Sequence, residues 1–248
     1  LLSFPEGATG LVRKLMPAAL RSALMAVPSP PAAASLEEVF SKNRRGESIG
    51  LSVEAVSKSY AGVHAAQNVT LSVAPGTIHA LIGPNGAGKS TVINVLAGLY
   101  DADSGRIRLG KTDLTKLPAH ERARLGLVRT FQNLQLIESL PVLDNVLLGM
   151  EHNASRTGGF LRWLVDPNHE RVAREQAMSI LQFLGIEALA SHYPTDMSYG
   201  HRKLVELARA VAQHPKVMLL DEPVAGINTQ EVKEIGRAIL KLRELGIT

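Results

Sequence analysis

The residues best suited to chemistry lie in a glycine-rich segment, residues 83–91. Gly83 is followed after four residues by Gly88, Lys89 and Ser90, with an apolar run before the segment and a helical pattern after it. That context is typical of a loop that binds phosphate. The glycines permit a tight turn whose backbone amides converge on phosphate oxygens, and the helix that begins at Lys89 directs its positive end to the same point.

This segment predicts a binding site for MgATP. We expect Lys89 to bridge the β- and γ-phosphates, Ser90 to ligate Mg²⁺ and Thr91 to reach the α-phosphate. A glycine-rich turn that binds nothing is the alternative, and the strand-loop-helix context argues against it. The predicted nucleotide-binding residues of the loop are Gly83, Pro84, Asn85, Gly86, Ala87, Gly88, Lys89, Ser90 and Thr91.

A second feature supplies what phosphoryl transfer needs besides a phosphate site, namely a metal anchor and a group that orients or deprotonates water. Residues 217–220 are wholly apolar, as in a buried parallel strand, and Asp221 and Glu222 follow directly. The strand would deliver Asp221 toward Mg²⁺ and leave Glu222 near the attacking water. An acidic pair alone is a weak signal, but together with the upstream loop it predicts a hydrolytic site.

Composition narrows the class of protein. The chain has 248 residues, 45% of them hydrophobic and 20% charged, which is enough for a sizeable core. The net charge of +4 is small and the basic residues are dispersed, so nucleic-acid binding is not favoured. The absence of cysteine excludes disulfides, thiolate metal sites and thiol nucleophiles, and no run of about 20 apolar residues predicts a membrane-spanning helix.

Hydrophobic periodicity predicts the elements that position these residues. We expect strands over residues 51–56, 69–73, 77–82, 106–109 and 217–220, and helices over residues 89–99, 171–184 and 204–213. In the first helix, the residues expected to face a sheet are Val92, Ile93, Val95, Leu96 and Leu99.

The first 50 residues differ from the rest because an apolar segment carrying Arg and Lys is followed by prolines and alanines. Such a composition is typical of a stiffened linker. An amphipathic surface segment or a transit peptide remains an alternative.

One further segment carries a family resemblance. Met197, Ser198, Tyr199, Gly200 and His201 precede a helix and resemble the signature motif of ABC ATPases, although three of the five positions depart from the usual Leu-Ser-Gly-Gly-Gln. The resemblance extends over residues 51–248 and implies that Ser198 and Gly200 contact the γ-phosphate of ATP held by a second nucleotide-binding domain. A serine that only caps the following helix is the alternative.

Other positions fit the same family. By resemblance, Tyr60 stacks on adenine, Gln132 is the Q-loop residue that ligates Mg²⁺ and assists catalysis, and residues 225–228 match the D-loop. The implied active site has Glu222, Gln132 and Lys89 as catalytic residues and Ser90, Gln132 and Asp221 as metal ligands.

The expected fold is therefore α/β, a P-loop NTPase (RecA-like) core with an N-terminal antiparallel β subdomain and an inserted α-helical subdomain. The ATPase domain would span residues 51–248, truncated at its C-terminus, with the helical subdomain at about 134–201. Residues 1–50 would be a linker or the tail of a permease, as in a permease-ATPase fusion.

Finer detail in residues 129–133, 144–146 and 221–228 resembles the ATPase subunits of branched-chain amino acid importers. This resemblance implies a second ABC ATPase domain, identical or not, a transmembrane permease that contacts residues 134–150, and a substrate-binding protein. It also implies a location at the cytoplasmic face of the inner membrane.

Two alternatives remain open. One is a soluble ABC ATPase acting in DNA repair or translation, which would show a long coiled-coil insertion or tandem cassettes. The other is a nucleotide-sensing module that does not hydrolyse ATP. The family's switch histidine is expected about six residues after Thr248, so we expect the isolated chain to bind ATP but to hydrolyse it poorly.

Overall fold

Strands and helices follow the periodicities of the sequence through most of the chain. The computed structural model describes Leu36, Phe40 and residues 49–130, 134–154 and 167–248. The strands are β1 (Leu51–Tyr60), β2 (Val63–Val73), β3 (Ser104–Leu109), β4 (Thr112–Asp113), β5 (Leu127–Arg129) and β6 (Val217–Leu219). The helices are α1 (Lys89–Ala97), α2 (Ala119–Arg124), α3 (Val142–Ala154), α4 (Pro167–Leu184), α5 (Tyr199–Val211) and α6 (Thr229–Glu244), with 3₁₀ turns at Glu187–Leu189 and Pro194–Asp196.

The first four strands form an antiparallel sheet in the order β2-β1-β3-β4. Leu51 lies opposite Val73 on one side and Leu109 on the other. Because side chains alternate across a strand, this register directs Val53 and Ile107 to the same face, where both are fully buried. The antiparallel subdomain expected from the sequence is therefore present.

Helix α1 packs beneath this sheet, as its periodicity predicts. Its buried residues are Val92, Val95 and Leu96. The predicted burial of Leu99 is wrong, since that side chain is 45% exposed. The helix ends at Ala97, and Gly98 adopts a left-handed conformation with φ 77°, which turns Leu99 away from the sheet.

Arg122 of α2 fixes the C-terminal end of α1. Its side chain is 1% exposed, and its Nη1 donates to the carbonyl oxygens of Val95 at 2.7 Å and Leu96 at 2.8 Å. These carbonyls belong to the last turn of a helix, where few backbone N–H donors follow; the Gly98 N–H donates to the Val95 oxygen at 3.1 Å. Burial lowers the pKa of Arg122. The helix that begins at the phosphate loop is thus anchored at its far end.

Strands β5 and β6 form a separate parallel pair in which Leu127 lies opposite Val217 and Arg129 opposite Leu219. Residues 77–82 were expected to be a strand, and this prediction is wrong. The segment forms no ladder hydrogen bonds of a strand, and Ile82 is 87% exposed. A strand needs a partner about 4.8 Å away, whereas a cavity lined by both segments lies here between residues 77–82 and β6.

The remaining helices enclose a second core. The predicted helix at residues 171–184 lies within α4, and α3, α5 and α6 pack with it. The buried residues of α4 are Val172, Ala177, Ile180, Leu181 and Leu184. Leu36 and Phe40 are also buried in this core. None of the helices in the described part of the chain is long and apolar enough to cross a membrane.

The structure describes only part of the chain around the expected domain boundaries. Most of residues 1–50 lie outside them, as do residues 155–166 within the predicted helical subdomain. The boundaries at 50, 134 and 201 therefore stay predictions.

Candidate active site

A cavity of about 570 Å³ brings the phosphate loop and the acidic pair together. Lys89, Asp221 and Glu222 all line it, although more than 130 positions separate the lysine from the carboxylates. Residues 77–82 form the opposite wall. The cationic and anionic groups that the sequence predicts to act on a phosphate thus share one space.

The side chain of Lys89 is hydrogen-bonded to the backbone of its own phosphate loop. The Lys89 ammonium donates to the carbonyl oxygens of Gly83 and Pro84, both at 2.8 Å. Residues 81–87 are exposed, so the loop faces solvent. An incoming phosphate finds a cation at the centre of the loop and the N-terminus of α1 behind it.

Gly88 is required where the loop joins α1. Its φ of 82° lies in the left-handed region, and a Cβ added there would stand 2.0 Å from the carbonyl oxygen of Ala65 on β2. Any larger residue would combine backbone strain with a clash against the backbone of a strand. The motif glycine therefore allows the loop to sit against the antiparallel sheet.

Asp221 is held by a buried ion pair that the sequence did not suggest. The Arg129 Nη2 lies 2.8 Å from Asp221 Oδ2, and the two side chains are 9% and 7% exposed. The same guanidinium donates through Nη1 to Asn94 Oδ1 of α1. Arg129 consequently ties the ends of β5 and β6 to the helix that carries the phosphate loop.

Glu222 differs from its neighbour in both exposure and backbone. It is exposed, whereas Asp221 is buried, and its φ of 46° is in the left-handed region. Non-glycine residues in this region are uncommon and concentrate at functional sites. The turn after β6 directs the two carboxylates into different surroundings, since Asp221 is buried against Arg129 and Glu222 is exposed at the cavity.

Tyr60 ends β1, away from the cavity. Its ring is 38% exposed and meets Tyr100 edge-on, with centroids 5.6 Å apart. The Lys58 Nζ lies 5.5 Å from the Tyr60 ring centroid. Burial and the neighbouring Tyr100 raise the pKa of Tyr60, so the ring is neutral at ordinary pH and offers an accessible aromatic surface.

Ser198 and Gly200 are also absent from the cavity lining. Ser198 is the N-cap of α5, and its Oγ accepts from the His201 backbone N–H at 3.3 Å. The structure therefore realises the capping arrangement, and the same hydroxyl donates to Glu231 Oε1 at 2.6 Å. Among the described residues, Ser198 does not line the cavity that holds Lys89.

The predicted metal ligands are placed only in part. Gln132 lies outside the described residues. Ser90, the second residue of α1, is exposed, and Asp221 lines the cavity. Among the described residues, no group of three or more His, Cys, Asp or Glu side chains is arranged to hold a metal ion.

Two residues of the site, Arg129 and Glu231, were given no role from the sequence. Arg129 lies in the 129–133 segment that carries the family resemblance, but nothing in the sequence pairs it with Asp221. Glu231 did have a signal, because Asn228 followed three residues later by glutamate at a helix start is a capping box. Both halves of that box are present at α6.

Comparison with known proteins agrees with this arrangement. Residues 66–225 match the family described as ABC transporter. The chain is 38% identical over 196 residues to the high-affinity branched-chain amino acid transport ATP-binding protein LivG of Escherichia coli K12, covering 78% of this chain and 76% of that protein. It is 34% identical to BraF of Pseudomonas aeruginosa, a protein described in the same terms, over 78% of this chain and 76% of the other.

Solved structures show the same fold. A nucleotide-free ATP-binding cassette from an ABC transporter is similar with a TM-score of 0.70 and 35% identity, covering 81% of this chain and 79% of the other. A dimeric ATP-binding cassette in a post-hydrolysis state with ADP and Pi is similar with a TM-score of 0.66 and 26% identity, over 80% of this chain and 85% of the other. The family match over residues 66–225 and the relatives at 34–38% identity show that the chain belongs to the ABC transporter ATP-binding family.

Proposed function

We propose that this chain is the ATP-binding and hydrolysing subunit of an ABC importer that takes up branched-chain amino acids or related small solutes. The observation that carries the proposal is the cavity shared by Lys89, Asp221 and Glu222. Relatives at 34–38% identity are named as branched-chain amino acid transport ATP-binding proteins. The same reasoning assigns the protein to the cytoplasmic face of the cell membrane, bound to a permease.

Nucleotide binding is assigned to the loop and to Tyr60. When phosphates enter, the Lys89 ammonium exchanges the carbonyl oxygens of Gly83 and Pro84 for phosphate oxygens. This exchange needs little rearrangement, because both carbonyls belong to the loop that the phosphates approach. The exposed face of Tyr60 would stack on adenine, worth about 1 kcal/mol by analogy with aromatic pairs.

The donor set suits Mg²⁺. Ser90 supplies a hydroxyl oxygen and Asp221 a carboxylate oxygen, and Mg²⁺ prefers oxygen ligands while retaining several waters and phosphate oxygens. Gln132 is assigned as a third ligand by resemblance. When bound, the ion would neutralise charge on the phosphates. Asp221 already faces a cation, since Arg129 of the same chain compensates its charge.

Hydrolysis is assigned to Glu222 as general base. Its carboxylate is exposed to the cavity, where water is available, and it lies next to the buried Asp221. Glu222 accepts a proton from the water while the water oxygen attacks the γ-phosphorus and ADP leaves. Asp221 cannot share this role, because its carboxylate is committed to Arg129.

In this proposal a partner completes the site, because Ser198 and Gly200 do not line the cavity of their own chain. In a dimer of two such domains, the signature loop of each would meet the ATP held by the other. A similar cassette is known as a dimer with ADP and Pi. Whether the partner is an identical chain or a sister ATPase does not affect this geometry.

Contact with the permease is assigned to residues 134–150. The described loop before α3 is ordered by Asn145, which is fully buried. Its amide accepts from the Ile137 backbone N–H at 2.8 Å and donates to the Leu140 carbonyl at 3.0 Å. A rigid loop suits the transmission of domain closure to membrane helices. A substrate-binding protein would deliver the solute on the other side of the membrane.

The alternative, a soluble ABC ATPase in DNA repair or translation, has no supporting observation. The chain shows one phosphate loop and one signature segment, and the relatives described above are transport proteins.

The nucleotide site is tested by titration with ATP of the unmodified chain, of Lys89→Ala and of Lys111→Ala. Lys111 is an exposed lysine in the turn between β3 and β4, so it controls for the loss of one positive charge. We expect only Lys89→Ala to lose affinity, and equal affinities for all three proteins would contradict the assignment.

The general base is tested by Glu222→Gln in the complete complex with its permease and partner domain. We expect the hydrolysis rate to fall on the order of 10²- to 10⁴-fold, the usual cost of losing a general base. Turnover near normal would refute this role.

A further inference from the structure

Glu231 on α6 gathers hydrogen-bond donors from two separate segments. Its Oε1 accepts from the Ser198 hydroxyl at 2.6 Å, and its Oε2 accepts from the Asn228 backbone N–H at 3.3 Å. The pKa of Glu231 is lowered, chiefly by the Ser198 hydroxyl, with further contributions from the backbone N–H groups of Asn228 and Gly200. The carboxylate is therefore ionised and sits at the N-terminus of α5.

Gly200 makes this approach possible. A Cβ added at Gly200 would stand 2.3 Å from Glu231 Cδ and 2.6 Å from its Oε1. Backbone conformation does not explain this glycine, because Gly200 is helical and its φ is not positive. What the glycine provides is space for a carboxylate against the first turn of the helix.

The donors that Glu231 takes are those that an anion would take. The N-terminus of a helix attracts negative charge through its unpaired N–H groups and its dipole. Under the proposed function, Ser198 and Gly200 present these donors to the γ-phosphate of ATP on a partner domain. The Ser198 hydroxyl has a single proton, so it cannot donate to Glu231 and to a phosphate at once.

We propose that the Glu231 carboxylate occupies the anion-binding end of the signature loop (residues 197–201) in the single chain, and that the partner's ATP must displace it for the dimer to close. Glu231 is thus a positioning residue that opposes closure. Its negative charge would also repel the γ-phosphate while it remains in place. The inference rests on the proposed function, because it presumes that the signature loop receives a partner's ATP.

The same carboxylate connects the signature loop to the D-loop (residues 225–228). Asn228 Oδ1 accepts from the backbone N–H groups of Gln230 and Glu231, both at 3.0 Å, and Glu231 returns a bond to the Asn228 N–H. If Glu231 leaves Ser198, its carboxylate moves, and the same carboxylate also accepts from the backbone N–H of the D-loop residue Asn228 at the start of α6. A movement of the signature loop on closure would thus be transmitted to the D-loop through the Glu231 side chain.

The test compares Glu231→Gln with Glu234→Gln, both in a Glu222→Gln background that blocks hydrolysis. Glutamine at position 231 removes the charge but keeps an acceptor for the capping box, which tolerates Glu or Gln. Glu234 is a half-buried neighbour on the same helix that pairs with Gln230 at 3.2 Å, so it controls for the loss of one negative charge. The readout is the dissociation constant of the dimer at saturating MgATP, by analytical ultracentrifugation.

We expect Glu231→Gln to lower this dissociation constant about tenfold relative to Glu234→Gln, because a neutral acceptor holds the serine roughly half as strongly as a carboxylate. A merely structural role for Glu231 predicts the opposite sign, since weakening a cap loosens the helix. ATP affinity of the single chain should not change.

An unchanged or weaker dimer in Glu231→Gln would overturn the inference while leaving the proposed function intact. Failure of the Glu222→Gln parent to associate with MgATP at all would refute both, because no partner ATP would then reach the signature loop.

Discussion

The buried ion pair between Arg129 and Asp221 makes the most quantitative prediction, through the substitution Arg129→Met. The two charged atoms are 2.8 Å apart and both side chains are at least nine-tenths buried. Methionine removes the cation but leaves Asp221 charged and shielded from water. Asn94 loses its side-chain donor at the same time.

Removal of one partner from a buried pair typically costs about 3–5 kcal/mol of unfolding free energy. We take about 3 kcal/mol here, because Asp221 also lines the cavity and water entering there can solvate part of its charge. For a chain of this size, that loss corresponds to a fall in melting temperature of about 6–12 °C.

The matched control is Arg171→Met on α4. Arg171 also pairs with a carboxylate, that of Glu175, but the two side chains are 59% and 42% exposed. Exposed pairs of this kind contribute about 0.5 kcal/mol or less. The two variants therefore make the same chemical change and differ chiefly in burial.

The assay is urea unfolding followed by circular dichroism, without nucleotide or divalent metal, since bound ligand would itself stabilise the folded state. A double variant, Arg129→Met with Asp221→Asn, should lose less than the sum of the single losses, because it no longer buries an unpaired charge. If Arg129→Met lies within about 1 kcal/mol of Arg171→Met, the pair does not behave as buried and the reasoning is refuted.

Two further substitutions test local features. Gly88→Ala should lower ATP affinity at least about tenfold in a titration, because the added Cβ would clash with the Ala65 carbonyl oxygen. Gly86 also has a positive φ, but a Cβ there would meet no atom within 4 Å. Gly86→Ala should therefore lose only about 1 kcal/mol through backbone strain. Equal effects of the two would contradict the steric argument. Burial lowers the pKa of His214 in the folded chain. Below pH 6.5 the unfolded chain therefore protonates this imidazole more readily than the folded chain, and the free energy of unfolding decreases as the pH falls. Asparagine tolerates the φ of 53° at this position, so His214→Asn should remove the acid-induced loss of unfolding free energy, which is at most about 1.4 kcal/mol per pH unit. The measurement is urea unfolding of both proteins at pH 7.5 and 5.5. An unchanged pH dependence in His214→Asn would assign the loss of stability to other groups.

The sequence was sufficient where the physical requirement is local. A phosphate loop needs glycines at fixed positions before a helix, and an acidic pair at the end of an apolar strand needs only adjacency, so the sequence alone predicts Lys89, Asp221 and Glu222 as groups of one site. The fold class was expected from the resemblance to ABC ATPases, with hydrophobic periodicity placing most of its elements. The roles of Tyr60, Gln132 and the signature residues rested on resemblance, and they stay predictions.

Tertiary structure decided what depends on residues far apart in the chain. The Arg129–Asp221 pair spans 92 positions and the Ser198–Glu231 bond spans 33. No periodicity specifies such partners, because they are set by which strand ends and helix ends pack together. The exposure of Leu99 and the unpaired course of residues 77–82 have the same origin, since burial and strand pairing are properties of the neighbours that a segment finds. The sequence by itself thus determined the chemical groups of the site, and only packing determined which of them hold one another in place.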